Sequence, residues 1–403
     1  MASPKPPLQP YGRHHIDDDD IAAVVEVLRG DFLTTGPVVE AFEARLSEIT
    51  GARHAVVVSS GTSALHLAAI AADLGPGDVA VVPTLTFLAT ANAARYVGAD
   101  VVFADVDADT GLLTAETLGV ALAKAGSAAK AVLPVHVNGQ TVDMAALSGI
   151  ENLTVIEDAC HALGGSHRGP SGAMLPVGSC AYGEMAVFSF HPVKTIAMGE
   201  GGAITTNSDA LAERLRRTRN IGMTRDPARF EATEQAFQAN GEANPWYYEM
   251  PELGFNYRAS AIHAALGLSQ LGKLEQFVAT RTQLRRRYEQ ALAPLAPVVR
   301  LIPVPPGCTP AWHLAVVLID FAAAGIDRAT VMQELMTLGV GTQVHYLPVH
   351  RQPYYRKLYG DTELPGADAY YARALSLPLH VGMGEADVDA VVAALAKVLG
   401  GGG

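Results

Sequence analysis

The amino-acid sequence predicts an α/β protein, with a large domain built on a central, mostly parallel sheet and a smaller α/β domain at its C-terminal end. Three observations support this prediction. Apolar runs of strand length alternate with helical patterns through the first half of the chain, as in parallel α/β sheets. The chain has 403 residues, more than the roughly 250–300 at which one hydrophobic core stops growing. After Asn207 the pattern changes to long helices and short mixed elements.

The first predicted element is a helix at 21–28, which follows acidic residues 17–20 that suit a helix N-terminus. The β-branched run 55–58 predicts a strand, and a tight turn and a helix over 64–72 come after it. Further strands are expected in the apolar runs at 79–83, 101–104, 131–135, 153–156, 186–190 and 202–206.

The later elements are less regular. A basic helix at 211–219 and a polar, aromatic loop at 226–248 precede long helices over 259–295. The elements expected after them are a strand at 312–319, a helix at 328–338, a strand at 341–345 and a helix at 385–399. We therefore predict a large domain at 14–258, and linking helices with a small C-terminal domain at 259–403.

Composition argues for a small-molecule substrate. The formal charge is -12 and the sequence has no long basic run, so neither nucleic acid nor an anionic membrane is an expected partner. No apolar stretch is long enough to span a membrane, and the first 13 residues lack the apolar region of a signal peptide. The three cysteines are far apart and no H-x-x-x-H occurs, so we expect no disulfide scaffold and no metal site. These features predict a soluble, cytoplasmic protein.

Lys194 is the strongest candidate for a catalytic residue. It is one of seven lysines, against 22 arginines, and the only formally charged residue between Met185 and Gly199. An apolar setting disfavours the charged amine, as a nucleophilic or Schiff-base lysine requires. The alternative is a structural lysine whose amine reaches solvent from a buried segment.

Asp158 follows the predicted strand at 153–156, so we expect it at the carboxyl end of a parallel sheet, where ligands of α/β proteins bind. A carboxylate there can pair with a protonated pyridine nitrogen. Glu157 is the competing candidate, and helix capping is a second alternative for Asp158. If a helix begins at Asp158, His161 lies on the same face, although a single histidine is more often a packing residue.

The turn Ser60-Gly61-Thr62-Ser63 precedes the predicted helix at 64–72 and would place amides and hydroxyls at a helix N-terminus, which is a favourable phosphate site. Helix capping explains the turn equally well. The ring of Phe87, after the strand at 79–83, could stack on a planar cofactor, with core packing as the alternative.

Taken in order, these segments resemble a known family. The sequences SSGTSAL at 59–65, EDA at 157–159, FSFHPVK at 188–194 and GEGG at 199–202 are similar to those of the DegT/DnrJ/StrS sugar aminotransferases. The resemblance implies pyridoxal 5'-phosphate (PLP) as cofactor, on the fold type I of PLP-dependent transferases. It implies that Lys194 is the Schiff-base lysine and proton shuttle, that Asp158 lies at the pyridinium nitrogen, and that Phe87 and His161 contact the ring faces.

The resemblance also implies a phosphate site. Thr62, Ser63 and Ser189 would bind the phosphate, in the turn that contains Gly61. Asn256 would reach the same phosphate from a partner subunit, so a homodimer with shared active sites is expected.

The substrate expectation rests on resemblance alone. The sequences PWYYE at 245–249, GFNYR at 254–258 and VHYLPVH at 344–350 are most similar to the branch of the family that acts in pseudaminic acid biosynthesis. This implies ping-pong amination of C4 of UDP-2-acetamido-2,6-dideoxy-β-L-arabino-hexos-4-ulose, with L-glutamate as donor. His345 and Arg258 are candidate substrate-binding residues. For His345, a structural hydrogen bond at a strand end is an equal alternative.

Two functions of other classes stay open. One is a PLP-dependent sugar dehydratase or another eliminating enzyme, which the retained Lys194 disfavours because dehydrating relatives carry histidine at this position. The other is a non-catalytic PLP-binding regulator, for which the chain offers no basic patch or appended DNA-binding domain.

Overall fold

A computed structural model describes residues 8–150 and 153–400. The strands within these ranges are β1 His54–Val58, β2 Val79–Pro83, β3 Asp100–Ala104, β4 Ala129–Val132, β5 Thr154–Asp158, β6 Ser166–Arg168, β7 Met174–Pro176, β8 Met185–Ser189, β9 Gly202–Thr206, β10 Val299–Leu301, β11 Cys308–Thr309, β12 Ala315–Ile319 and β13 Ala374–Leu377. The α-helices are α1 Asp18–Arg29, α2 Pro37–Thr50, α3 Gly61–Ala71, α4 Leu88–Tyr96, α5 Ala115–Ala125, α6 Met144–Leu147, α7 Asp209–Thr218, α8 Thr233–Ala236, α9 Ala261–Leu271, α10 Leu274–Leu292, α11 Arg328–Thr337, α12 Pro353–Tyr359, α13 Pro365–Arg373 and α14 Glu385–Gly400.

The main sheet has seven strands in the order β1-β9-β8-β5-β4-β2-β3. Strand β9 runs antiparallel to both of its neighbours, while every other neighbouring pair is parallel. The predicted α/β fold with a mostly parallel central sheet is therefore confirmed. In such a sheet the parallel strands end at the same edge, which brings the chain segments after β1, β2, β5 and β8 together.

The strands form because their residues are apolar and buried on both faces of the sheet. In β2, the four residues from Ala80 to Pro83 are buried, and β9 is buried throughout. Helix α3 follows the same rule: nine of its residues, from Gly61 to Ala71, are buried. It packs against β8 and β9, so its first turn is held near the edge of the sheet where β8 ends.

The C-terminal part contains the antiparallel sheet β10-β12-β13, with α14 packed against α10 and α11. Helix α9, in contrast, packs against α1 and α2. In a third sheet, β11-β6-β7, strand β11 of the C-terminal part pairs with the hairpin that β6 and β7 form. The domain boundary at 258/259 stays a prediction. In the described ranges, no helix combines the length and the apolar composition needed to cross a membrane.

Two predicted strands differ from the structure. The run 131–135 forms only the short β4, because Pro134 has no N–H for the sheet; Val135 makes an isolated bridge to Asp158. The run 341–345 is not a strand, and Gln343 makes a single bridge to Ser376. The amide of Val344 instead donates to the side chain of Gln343 at 2.9 Å, so it is not available to a neighbouring strand.

Candidate active site

Segments that follow the carboxyl ends of β1, β2, β5 and β8 surround a cavity of about 670 Å³. Its lining includes most of the predicted site residues, namely Gly61, Thr62, Phe87, Asp158, His161, Ser189, Lys194 and His345. The lining also includes side chains that sequence reasoning did not select, among them Tyr11, Thr90, Cys160, His313 and Tyr346. The sheet edge thus gathers residues from the whole length of the chain.

Lys194 lies in the connection between β8 and β9. Its amide donates to the carbonyl of His191 at 2.8 Å, and the amide of Met198 donates to the carbonyl of Phe190 at 2.9 Å, so the connection is a compact loop. Burial lowers the pKa of the Lys194 amine, while Cys160 and Asp158 favour its charge and partly oppose that effect. The loop therefore presents an amine that is more easily deprotonated than a surface lysine.

Asp158, at the end of β5, faces the cavity, and Glu157 does not. One carboxylate oxygen of Asp158 accepts from the Thr90 hydroxyl at 2.6 Å, and the other accepts from the Cys160 amide at 3.1 Å. Glu157 is fully buried and accepts from His136 Nε2 at 3.0 Å. Neighbouring residues of a strand point to opposite faces, so only one of the two carboxylates can reach the site.

No helix begins at Asp158, since the chain makes turns over 160–164 and continues into β6. His161 nevertheless lines the cavity, since the turn brings it back to the sheet edge. Its Nδ1 accepts from the Asn138 amide at 3.2 Å, and its Nε2 lies 3.1 Å from the Tyr346 hydroxyl. Burial, and secondarily Lys194, holds the pKa of His161 well below its usual value, so the ring is neutral.

The turn before α3 is both a helix cap and part of the cavity wall. The Ser60 hydroxyl accepts from the Ser63 amide at 3.1 Å, and the Ser63 hydroxyl accepts from the Ser60 amide at 2.9 Å. The capping alternative is therefore realised for Ser63, which does not line the cavity. Gly61 and Thr62 do, and their amides precede the first intrahelical bond, from the Ala64 amide to the Ser60 carbonyl.

Gly61 is in close contact with β8. A Cβ atom at this position would lie 2.8 Å from the Cβ of Ser189. Any side chain would push the turn away from the strand, so the glycine lets backbone amides and the Ser189 hydroxyl border the same space.

Phe87 and His345 lie on other walls of the cavity. Phe87 is 56% exposed, which contradicts the core-packing alternative and leaves its ring free to cover a ligand. His345 is buried, and its Nδ1 lies 2.8 Å from the Ser376 hydroxyl. Burial, followed by the charge of Lys194, lowers the pKa of His345 to about 3. His345 thus makes a structural hydrogen bond and also lines the cavity, and its role in substrate binding stays a prediction.

Besides Ser63, two further predicted site residues lie outside the cavity of their own chain. Asn256 is exposed and forms an isolated bridge with Asn220. Arg258 donates to the Asn220 side chain at 2.6 Å. Their assignment to the cofactor and the substrate stays a prediction.

The cavity has the groups that PLP needs. It offers a lysine whose burial favours the neutral amine, a carboxylate at the sheet edge, and backbone amides beside a glycine that no larger residue can replace without a clash. Tyr346 and His313 were missed because they lie far along the chain; the only signal for Tyr346 was its place in the sequence VHYLPVH at 344–350.

Comparison with known proteins agrees with this geometry. A model of the DegT/DnrJ/EryC1/StrS aminotransferase family matches residues 14–396. The chain is 36% identical over 398 residues to the spore coat polysaccharide biosynthesis protein SpsC of Bacillus subtilis (strain 168), covering 97% of each. The putative sugar aminotransferase Spr1654 of Streptococcus pneumoniae, in its PMP form, has a similar structure, with a TM-score of 0.85, 26% identity and coverage of 97% of this chain and 99% of that one. PseC of Helicobacter pylori, an aminotransferase involved in pseudaminic acid biosynthesis, has a TM-score of 0.85, 27% identity and coverage of 98% of this chain and 100% of that one.

Proposed function

The chain belongs to the DegT/DnrJ/EryC1/StrS aminotransferase family, and on that premise we propose that it transfers an amino group from L-glutamate to the C4 ketone of a UDP-linked 4-keto-6-deoxy-N-acetylhexosamine. The chain is a sugar aminotransferase and its cofactor is PLP. The observation that carries the proposal is the presence of Lys194, Asp158 and Phe87 around one cavity.

When bound, PLP supplies the electron sink that makes the Cα proton of the amino donor removable. The protein supplies the groups that hold it and move protons. Asp158, which accepts from Thr90, would pair with the ring nitrogen. Thr62 and Ser189, with the amides at the start of α3, would bind the phosphate.

Lys194 moves the proton in both half reactions. Because burial favours its neutral form, Nζ can take a proton from Cα of L-glutamate and would deliver it to C4' of the bound cofactor. In the second half reaction the same Nζ would take a proton from C4' and deliver it to C4 of the sugar. One site thus serves the donor and the acceptor in turn, so kinetics should be ping-pong.

The UDP-linked substrate, of the pseudaminic acid type, is supported by the similarity to PseC. His345 would contact the sugar or its diphosphate. The alternative substrate is another nucleoside-diphosphate 4-keto-6-deoxy sugar. The similarity to a spore coat polysaccharide protein supports this alternative. Dehydration is disfavoured because the lysine is present, and a non-catalytic regulator is disfavoured by the presence of Lys194, Asp158 and Phe87 around one cavity.

We also propose a cytoplasmic homodimer in which Asn256 and Arg258 act on the partner's site. Both residues lie outside the cavity of their own chain, so a role at the site needs a second subunit. The three free cysteines of the described chain fit a reducing compartment.

The test is an absorbance spectrum of the purified protein before and after L-glutamate, followed by candidate UDP-4-keto sugars. The PLP band should fall with L-glutamate and return with one sugar, whose product gains nitrogen. The variant Lys194→Ala is the control and should show neither change. If PLP binds but L-glutamate leaves the band unchanged, the donor assignment is wrong; if the sugar loses oxygen instead, the enzyme is a dehydratase.

A further inference from the structure

The hydrogen bonds around His161 fix the position of its proton. The Asn138 amide can only donate, and it does so to Nδ1 at 3.2 Å. Nδ1 of His161 is therefore an acceptor without a proton. The ring is neutral because burial lowers its pKa well below the usual value, so its one N–H is on Nε2.

The direction of the next hydrogen bond follows from this tautomer. Nε2 of His161 lies 3.1 Å from the hydroxyl oxygen of Tyr346 and must donate to it. The Tyr346 oxygen then accepts from His161, and its own proton is left to point elsewhere. Burial raises the pKa of Tyr346, so the phenol keeps that proton throughout the working pH range.

The donor that starts this chain of hydrogen bonds is held rigidly. Asn138 has a left-handed backbone, with φ of 63°, and its side chain donates to the Tyr370 hydroxyl at 2.9 Å. Its carbonyl accepts from the His313 amide at 3.0 Å. At Gly139, an added Cβ would overlap the carbonyl oxygen of Ala311 at 2.0 Å, so the turn fits the C-terminal segment too closely to shift.

Tyr346 is placed to use its proton at the site. It lines the cavity with Lys194 and Phe87, and its ring centroid lies 6.2 Å from that of Phe87. The hydroxyl makes no other hydrogen bond among the residues that the structure describes. A phenol whose oxygen is already used as an acceptor, and which borders the reaction cavity, is a directed hydrogen-bond donor.

We propose that Tyr346 donates a hydrogen bond to an oxygen atom bound beside Lys194, and that His161 is the positioning residue that directs this donor. This inference rests on the proposed function. The acceptor is an oxygen that carries negative charge during the reaction. It has two possible sources: the hydroxyl oxygen on the pyridine ring of the cofactor, or the C4 oxygen of the keto sugar.

The first variant is Tyr346→Phe, which removes the donor and keeps the ring. Loss of one preorganised donor of this kind lowers turnover by about 10²-fold. Titration of the absorbance of the PLP-loaded resting enzyme distinguishes the two sources. If the cofactor oxygen is the acceptor, the apparent pKa of the chromophore shifts and both half reactions slow. If the sugar oxygen is the acceptor, the resting chromophore and the L-glutamate half reaction are unchanged, and only the sugar half reaction slows.

The second pair of variants tests the relay through His161. In His161→Gln the amide oxygen can accept from Asn138 and the amide nitrogen can donate to Tyr346, so this conservative variant should recover most of the change in chromophore and rates that His161→Leu causes. His161→Leu removes both bonds and should reproduce the effects of Tyr346→Phe. PLP content and circular dichroism show whether each variant is folded.

The proposal is overturned if Tyr346→Phe changes neither the chromophore nor either half reaction, or if His161→Leu behaves as His161→Gln does. Failure of the proposed function is a different result, namely a wild-type enzyme that aminates none of the UDP-linked ketones. In that case a shifted apparent pKa of the chromophore in Tyr346→Phe still supports Tyr346 as a donor to the cofactor, and an unchanged chromophore with an unchanged L-glutamate half reaction overturns the proposal.

Discussion

The contact between Gly61 and Ser189 allows a sharp test of where the phosphate binds. An alanine Cβ at position 61 would lie 2.8 Å from Ser189 Cβ and 3.2 Å from its hydroxyl oxygen. Strand β8 is buried between β5 and β9, so the strand cannot retreat and the turn has to move into the cavity. If the phosphate binds at this turn, as we propose, it fills that space in the loaded enzyme, so the strain falls mainly on the complex.

Overpacking of this kind costs about 1–3 kcal/mol, which corresponds to a loss of roughly 5- to 150-fold in affinity. We expect the Kd of Gly61→Ala for PLP to rise by a factor in this range, measured by fluorescence titration of the apoprotein. Gly119→Ala is the matched control: a Cβ there meets nothing within 4 Å, and it lies in the exposed part of α5, so PLP affinity should not change.

Ser189 supplies the second half of the test. Ser189→Gly removes the clashing Cβ, whereas Ser189→Ala keeps it and removes only the hydroxyl. Combined with Gly61→Ala, the glycine variant should recover part of the lost affinity and the alanine variant should recover none, which is a coupling between neighbours. Wild-type affinity in Gly61→Ala, or equal affinities in the two double variants, would show that the turn does not hold the phosphate.

Three further predictions concern the same cavity. Thr90→Val removes the buried 2.6 Å hydrogen bond to Asp158. Because hydrogen bonds to charged groups contribute about 1.5–3 kcal/mol, kcat/KM should fall at least 10-fold. Steady-state rates close to those of the wild type would contradict this prediction. Phe87→Ala should weaken PLP binding about 2- to 10-fold. The Tm of the apoprotein should change little, because the Phe87 ring is exposed until it covers a ligand. A large drop in the Tm of the apoprotein would mean that Phe87 is a core residue. Burial lowers the pKa of Lys194, so between that pKa and about 10.4 the unfolded chain binds more protons and stability rises with pH. Apo Lys194→Met should therefore melt at a higher temperature than the apo wild type at neutral pH, and calorimetry should show the difference shrinking towards pH 10; a constant difference would argue against a buried amine.

The fold could be predicted where burial is continuous. The strands at 79–83 and 202–206 agree with the structure residue for residue, because both runs lack charged residues and are buried almost throughout in the interior of the sheet. The prediction was wrong at 341–345, where Val344 is the one large apolar residue and its amide donates to the side chain of Gln343. The strand β13 was missed, since its four residues carry little pattern of their own.

The sequence alone determined the chemistry of the site, because its signals are local: a single amine in an apolar segment, a carboxylate at a strand end, and a glycine in a capped turn. The tertiary structure decided which groups act together. Thr90 reaches Asp158 from 68 residues away, and Tyr346 reaches His161 from 185 residues away. Such pairs depend on strand order and on close packing across the cavity. Neither can be predicted from a local sequence pattern.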